Sequence, residues 1–224
     1  MYQSLDVRAL RSPILIVSPH PDDDVLGSGG LIQRALGYGK TVFVLYFTVG
    51  DGFPDAVRKY LHLPLIPRSF QTLGRVRHNE AVDAEHHLGV PVNRLFFLCY
   101  PDGGLLNILH SPSPLSIYRS RTTGLTKADY PFAYRRDAPY SRQKVLELTR
   151  TVLKDINPGT IVLNHPADVH PDHRAARDFT LLALNAIPRS PTLLSYLIHY
   201  PNWPSATGFF QPPASLRSEW VRRF

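Results

Sequence analysis

Apolar residues come along this chain in short, dense runs. Ile14 to Ser18 (ILIVS) and Thr41 to Thr48 (TVFVLYFT) are nearly continuous apolar stretches, as in strands covered on both faces. Leu95 to Leu98 and Thr160 to Leu163 have the same character, and Leu193 to Ile198 is expected as a fifth strand. Between these runs the period changes. Leu31 to Leu36 reads as part of a helix, reached through Gly27, Ser28, Gly29 and Gly30. Leu73 to Leu88 carries Val76, Ala81, Ala84 and Leu88 at helical spacing, with Gly89 as its stop. Val145 to Ile156 is helical up to Asn157-Pro158-Gly159, and Arg174 to Leu184 is helical too. Strands alternating with helices predict an α/β fold, Rossmann-like, with a mostly parallel sheet and helices on both faces.

Two stretches break the alternation. Residues 53–72, rich in proline and basic side chains, read as loop. Residues 103–141 read as an insertion in a single domain spanning 1–224, either a substrate lid or an irregular excursion. This stretch carries Arg119, Arg121, Lys127, Arg135 and Arg136 with Tyr118, Tyr130, Tyr134 and Tyr140.

Composition narrows the classes. The chain has 224 residues, 43% apolar and 19% charged, which suits one globular domain and excludes a disordered chain. No apolar run approaches the roughly 20 residues that span a bilayer. The apolar patch after Pro13 closes at a His-Pro turn, so the N-terminus reads as a strand and not as a signal peptide. The single cysteine, Cys99, excludes an internal disulfide framework and a zinc site built on cysteine pairs. Together these lead to an expectation of a cytoplasmic protein. The net charge of +7 favours anionic partners without choosing among phosphorylated substrates, membrane surfaces and nucleic acid.

In a parallel α/β sheet the crevice lies beyond the carboxyl ends of the strands. The polar constellations fall there. His20-Pro21-Asp22-Asp23-Asp24 follows the first strand, Gly50-Asp51-Gly52 the second, Tyr100-Pro101-Asp102-Gly103-Gly104 the third, and Asn164 to His173 the fourth. A histidine and three carboxylates at one strand end repel one another, and a bound cation relieves this. Histidine and aspartate without cysteine suit zinc in a catalytic site. An aspartate after a strand is also a common helix cap, but two such loops at one sheet edge favour a shared site. His165 and Asp168 are expected to hydrogen-bond within their loop, with a second cation as the alternative. His62, His78, His110 and His199 have no partner cluster in the sequence, and Cys99 is expected as a small core residue. Gly27, Gly29 and Gly30 do not make the dinucleotide fingerprint, whose last glycine position is Ile32; they are expected to turn the chain into the helix beneath the metal.

These residues resemble the zinc-dependent N-acetylglucosaminyl deacetylases, the LmbE-like or PIG-L family. The resemblance is carried by His20-Pro-Asp-Asp-Asp, Gly27-Ser-Gly-Gly and His170-Pro-Asp-His, with Arg77-His-Asn-Glu80-Ala, Leu88-Gly89-Val90 and Tyr100-Pro-Asp-Gly-Gly-Leu105 between them. It runs from about Leu15 to Leu182. The chain departs from it at Asp24, where the family usually has Glu, and ends at Phe224 sooner after its last strand, which leaves a shortened chain or a missing helix open.

The resemblance implies that His20, Asp23 and His173 hold the metal, zinc or ferrous iron. It makes Asp22 the general base, His170 the general acid or oxyanion partner, and Asp172 the group that orients His170. Arg77 and Asp102 would hold substrate. The implied reaction is removal of an N-acetyl group from a glucosamine-containing small-molecule conjugate, one with an anionic group if the arginines of 103–141 reach it. The alternatives are an amidase on another amide, such as a thiol conjugate, and a non-catalytic binder of anionic polymer. No nucleic-acid module pattern is present, and a homo-oligomer is left open.

Overall fold

The computed structural model describes residues 5–200. Five strands form one sheet: β1 (Ile14–Ser18), β2 (Val42–Thr48), β3 (Leu95–Tyr100), β4 (Thr160–Asn164) and β5 (Thr192–Tyr196). Their order is β3-β2-β1-β4-β5, and every pairing is parallel. The helices are α1 (Asp23–Gly37), α2 (Pro67–Leu88), α3 (Leu105–Leu109), α4 (Arg142–Ile156) and α5 (Pro171–Leu184). Right-handed crossovers from β1 outward to β2 and β3 put α1 and α2 on one face; the return through β4 to β5 puts α4 and α5 on the other. The packing agrees, with α1 against α2 and α4 against α5. The predicted α/β architecture is the one found.

All five residues of β1 are buried, as the continuous apolar run requires of a central strand. The winding direction reverses between β1 and β4. This is the switch point at which a parallel sheet opens its crevice, and the loops after these two strands flank it.

Two expectations need correction. Helix α1 begins at Asp23, so Gly27, Gly29 and Gly30 lie inside it and make no turn. Gly27 has a steric reason instead: a Cβ there would stand 2.2 Å from Cδ2 of Tyr196, whose ring packs under the helix. Helix α2 begins at Pro67, well inside the expected loop, because proline in a first turn has no helical partner for its missing N–H and Phe70 and Leu73 bury the apolar face.

Residues 103–141 pack closely on the fold. After α3 the stretch contains little regular structure, yet Ala128, Tyr130, Ala138 and Tyr140 are buried in the main core. Tyr134 N–H donates to Phe97 O at 2.7 Å, and Tyr118 N–H to Tyr140 O at 2.9 Å. The stretch packs on the main core and is fastened to β3. Its arginines stay exposed while making contacts within the stretch: Arg119 donates to Gly124 O, Arg136 pairs with Asp129, and Arg135 lies over the Tyr134 ring. The expectation about the end of the chain falls outside the described residues. No helix among the described residues is long and apolar enough to cross a membrane.

Candidate metal centre at the carboxyl edge of the sheet

Strand β1 ends at Ser18, and a tight turn in which the N–H groups of Asp22 and Asp23 donate to His20 O leads to Asp22 at the N-cap position of α1. This geometry aims His20 and Asp23 back over the sheet edge. Strand β4 and α5 do the same for His173, with His170 at the helix cap. The three groups meet. His20 Nδ1 lies 3.1 Å from Asp23 Oδ2, His173 Nε2 lies 3.1 Å from the same oxygen, and the two nitrogens are 3.2 Å apart.

The outer nitrogens of both rings face carboxylates. His20 Nε2 is 3.2 Å from Asp102 Oδ1 and 3.4 Å from Asp172 Oδ2; His173 Nδ1 is 3.0 Å from Asp168 Oδ2. A proton on each outer nitrogen satisfies those contacts and leaves two lone pairs and a carboxylate oxygen pointing at one another. Such a triangle fits a divalent ion: donors on bonds of about 2.0–2.1 Å around a tetrahedral centre stand about 3.3 Å apart. The carboxylates behind the imidazoles fix tautomer and ring orientation, as supporting groups at metal sites do.

Charge argues the same way. Asp23, Asp102, Asp168 and Asp172 surround two imidazoles in an almost dry setting, so even with both rings protonated two negative charges stay uncompensated within the cluster. Burial works against the charged form of each member, but the partners outweigh it. His20 is held well above the usual histidine range by Asp102, Asp172 and Asp23, and His173 is raised by Asp168 and Asp23. Asp23 is driven far below the carboxylate range by His173 and His20, and Asp102 is pulled down to about 2 by His20, the Gly52 N–H and Arg77.

Around this triangle stand the other expected residues. Asp22 is half exposed, and its Oδ2 takes a 2.8 Å ion pair from Arg77 Nη2, which also donates to Pro21 O at 3.3 Å. Arg77 crosses so close over Gly50 that a Cβ there would meet Nη1 at 2.2 Å, and Gly50 also has a φ of +64°. Thus Arg77 is engaged with Asp22 at the mouth. Asp102, expected on substrate, is used on His20 and on Gly52 N–H, 2.9 Å from its Oδ2.

His170 is held differently from the expectation. Its Nδ1 accepts the backbone N–H of Asp172 at 3.2 Å, which makes Nε2 the protonated nitrogen of the neutral ring. The Asp172 carboxylate is spent elsewhere, on Gly103 N–H at 2.6 Å, Leu105 N–H at 3.0 Å and His20. Burial and the neighbouring His20 and His173 push His170 down to about 4, so it is a neutral N–H donor near neutrality.

Several members were not legible as such. Asp168 does bond within its loop, accepting His170 N–H at 3.0 Å, but its other oxygen holds His173. Asn164 Nδ2 lies 3.0 Å from the same His173 nitrogen. His199 closes the group from the tail of β5, its ring 4.8 Å from that of His173 and 5.1 Å from that of His170. Beneath the centre, Asp24 accepts from Tyr46 Oη and sits against Glu85 of α2. Among the described residues no donor reaches either Glu85 oxygen. Burial and the neighbouring Asp24 carboxyl raise Glu85 to about 9, which favours its protonated form near neutrality. The aspartate that departs from the family pattern is thus a buried partner of Glu85.

Fold and site define a parallel α/β protein with a candidate His/Asp metal-binding cluster at its topological switch point. The family model for PIG-L, the GlcNAc-PI de-N-acetylase, matches residues 15–184, and the chain belongs to that family. The 1D-myo-inositol 2-acetamido-2-deoxy-alpha-D-glucopyranoside deacetylase of Tsukamurella paurometabola is 26% identical over 175 residues, covering 77% of this chain and 55% of that protein. The chain spans about half or less of the length of the curated relatives it matches. Among solved structures, the zinc-inhibited form of teicoplanin deacetylase is 20% identical with a TM-score of 0.56, over 88% of this chain and 72% of that one. A 4-carboxy-2-hydroxymuconate hydratase from Pseudomonas putida KT2440 is 19% identical with a TM-score of 0.51, over 76% and 54%. Both likenesses are of fold.

Proposed function

We propose that the protein is a metal-dependent hydrolase that removes an N-acetyl group from a glucosamine-containing conjugate. The observation that carries this is the triangle of His20 Nδ1, Asp23 Oδ2 and His173 Nε2 with a half-exposed carboxylate, Asp22, on the adjacent residue. Family membership supports the acyl-transfer reading over hydration, although the fold accommodates both.

His20, Asp23 and His173 would hold the ion, zinc or ferrous iron. When bound, it would supply Lewis acidity toward a water and the amide carbonyl. Asp22 takes one proton from the water and passes it to the departing amine nitrogen, which leaves as the free amine beside acetic acid; the acid's own proton then moves to the amine, so acetate and ammonium account for all atoms. Arg77 keeps that carboxylate aimed at the crevice. His170 offers its Nε2–H to the oxygen on which charge develops, and the Asp172 N–H on its Nδ1 prevents the wrong tautomer. Asp102 and Asp168 position His20 and His173. An anionic group on the conjugate would be read by Arg119, Arg121, Arg135 and Arg136; neutralising them should raise KM for an anionic conjugate more than for a neutral one.

Acetate release from a panel of N-acetylglucosamine conjugates tests the proposal. Chelation should abolish release and zinc or ferrous iron should restore it. His173→Ala should stay at background with metal added, and Asp22→Asn should lose about 10²–10⁴-fold in kcat. Turnover indifferent to chelation and to His173→Ala would overturn the reading. Release from thiol-conjugate amides alone would move the substrate to that class.

A further inference from the structure

His199 lies outside the family motifs and outside the triangle, yet it borders both. One ligand atom each from Asp23, His173 and His199 lies within 4.8 Å of the other two. We propose that His199 is a displaceable fourth protein ligand, closing the coordination position that water and substrate must otherwise take. The inference rests on the metal reading of the centre given above.

The backbone and the ring of His199 are held differently. Its N–H donates to Asp168 Oδ2 at 3.2 Å, and its carbonyl accepts Val169 N–H at 2.9 Å. Residue 199 is thereby tied to the loop that carries His170 and His173. The same Asp168 oxygen faces His173 Nδ1, so ligand and candidate ligand share one anchor. The ring, by contrast, is exposed, borders the rings of His173 and His170, and carries no side-chain hydrogen bond among the described residues. Ligand atoms around a tetrahedral zinc stand about 3.3 Å apart, so from a separation of no more than 4.8 Å a swing of at most about 1.5 Å brings an imidazole nitrogen into the coordination shell. A side-chain rotation covers that distance with the backbone fixed.

The rival is His170, whose ring is also close. Its Nδ1 is occupied by the Asp172 N–H and its Nε2 carries the proton, which leaves no lone pair for an ion. His199 carries no such constraint from a side-chain hydrogen bond among the described residues. The result is a centre that alternates between a closed state of three imidazoles and one carboxylate, and an open state with two imidazoles, Asp23 and an exchangeable position.

The test loads the metal-free full chain with Co²⁺ and counts imidazoles by X-ray absorption, with visible absorption and chelator competition in parallel. Wild type should show three imidazoles and His199→Ala two. The variant should also change its visible spectrum and bind Co²⁺ on the order of 10–100-fold more weakly, the loss typical of removing one supporting group. Two imidazoles in both proteins, or three in wild type with the loss confined to His170→Ala, would overturn the assignment of His199 while leaving the centre intact. Wild type that binds no Co²⁺, with His173→Ala indistinguishable from it, would overturn the metal reading itself.

Discussion

Asp51 shows how one buried side chain links residues 103–141 to the site. It is 1% exposed, accepts Tyr130 Oη–H at 2.6 Å and Asp102 N–H at 3.2 Å, and so ties residues 51, 102 and 130 into one support for His20. Burial raises its pKa to about 7, helped by the charge of Asp102 and opposed by the Tyr130 hydroxyl. An unfolded aspartate titrates near 3.8. Between about pH 4 and about pH 7 the folded protein therefore holds a proton that the unfolded chain has lost. Stability from this group falls as pH rises through that window, by at most about 1.4 kcal/mol per unit, and is flat above it. Asp51→Asn keeps the shape and removes the titration. Denaturant unfolding from pH 4 to 7 should show the variant gaining stability relative to wild type as pH rises. A pH-independent difference between the two would refute the assignment.

At the scale of elements, two glycines of α1 separate packing from propensity. Gly27 faces Tyr196 of β5, whose hydroxyl donates to Val17 O at 2.7 Å and fixes the ring between helix and sheet. Gly30 meets nothing within 4 Å. Gly27→Ala must push apart α1 and β5 and should destabilise by about 1–3 kcal/mol. Gly30→Ala should stabilise by about 0.5–1 kcal/mol through helix propensity and a less flexible unfolded chain. Thermal melts of the pair decide it; equal effects would remove the role given to Tyr196. The sequence makes three glycines in a row of four residues look alike, since their difference depends on a residue about 170 positions away. Helix ends fared better where chemistry is local. Gly89 closes α2 with a φ of +98°, and Asn157 closes α4 with a φ of +49°. The start of α2 escaped because its first turn is basic and proline-rich, and only tertiary burial of Phe70 makes it a helix.

For the whole molecule, alternating runs gave the architecture because parallel strands and covering helices have different periods. The motifs after β1 and β4 put histidines and aspartates at one sheet edge because each motif is contiguous and both loops open there; the choice of His20, Asp23 and His173 among them came from the family resemblance. What stayed hidden depends on long-range packing. Tyr130 reaches Asp51 from 79 residues away, and His199 enters the cluster only because β5 runs beside β4. The same topology predicts how the metal should couple to folding. Two ligands come from the β1 loop and one from α5 after β4, the two sides of the switch point, so an ion would bridge halves that otherwise face each other with uncompensated negative charge. Binding to the folded chain alone stabilises by about 2.7 kcal/mol at a hundredfold excess over Kd. In a chain of this size that should raise Tm by about 5–10 °C. His173→Ala should abolish most of the rise, because removing the ligand from the β4 side leaves the ion on one loop and the bridge undone. A rise of equal size in His173→Ala would mean that the cation binds elsewhere and that the switch-point cluster is not what it stabilises.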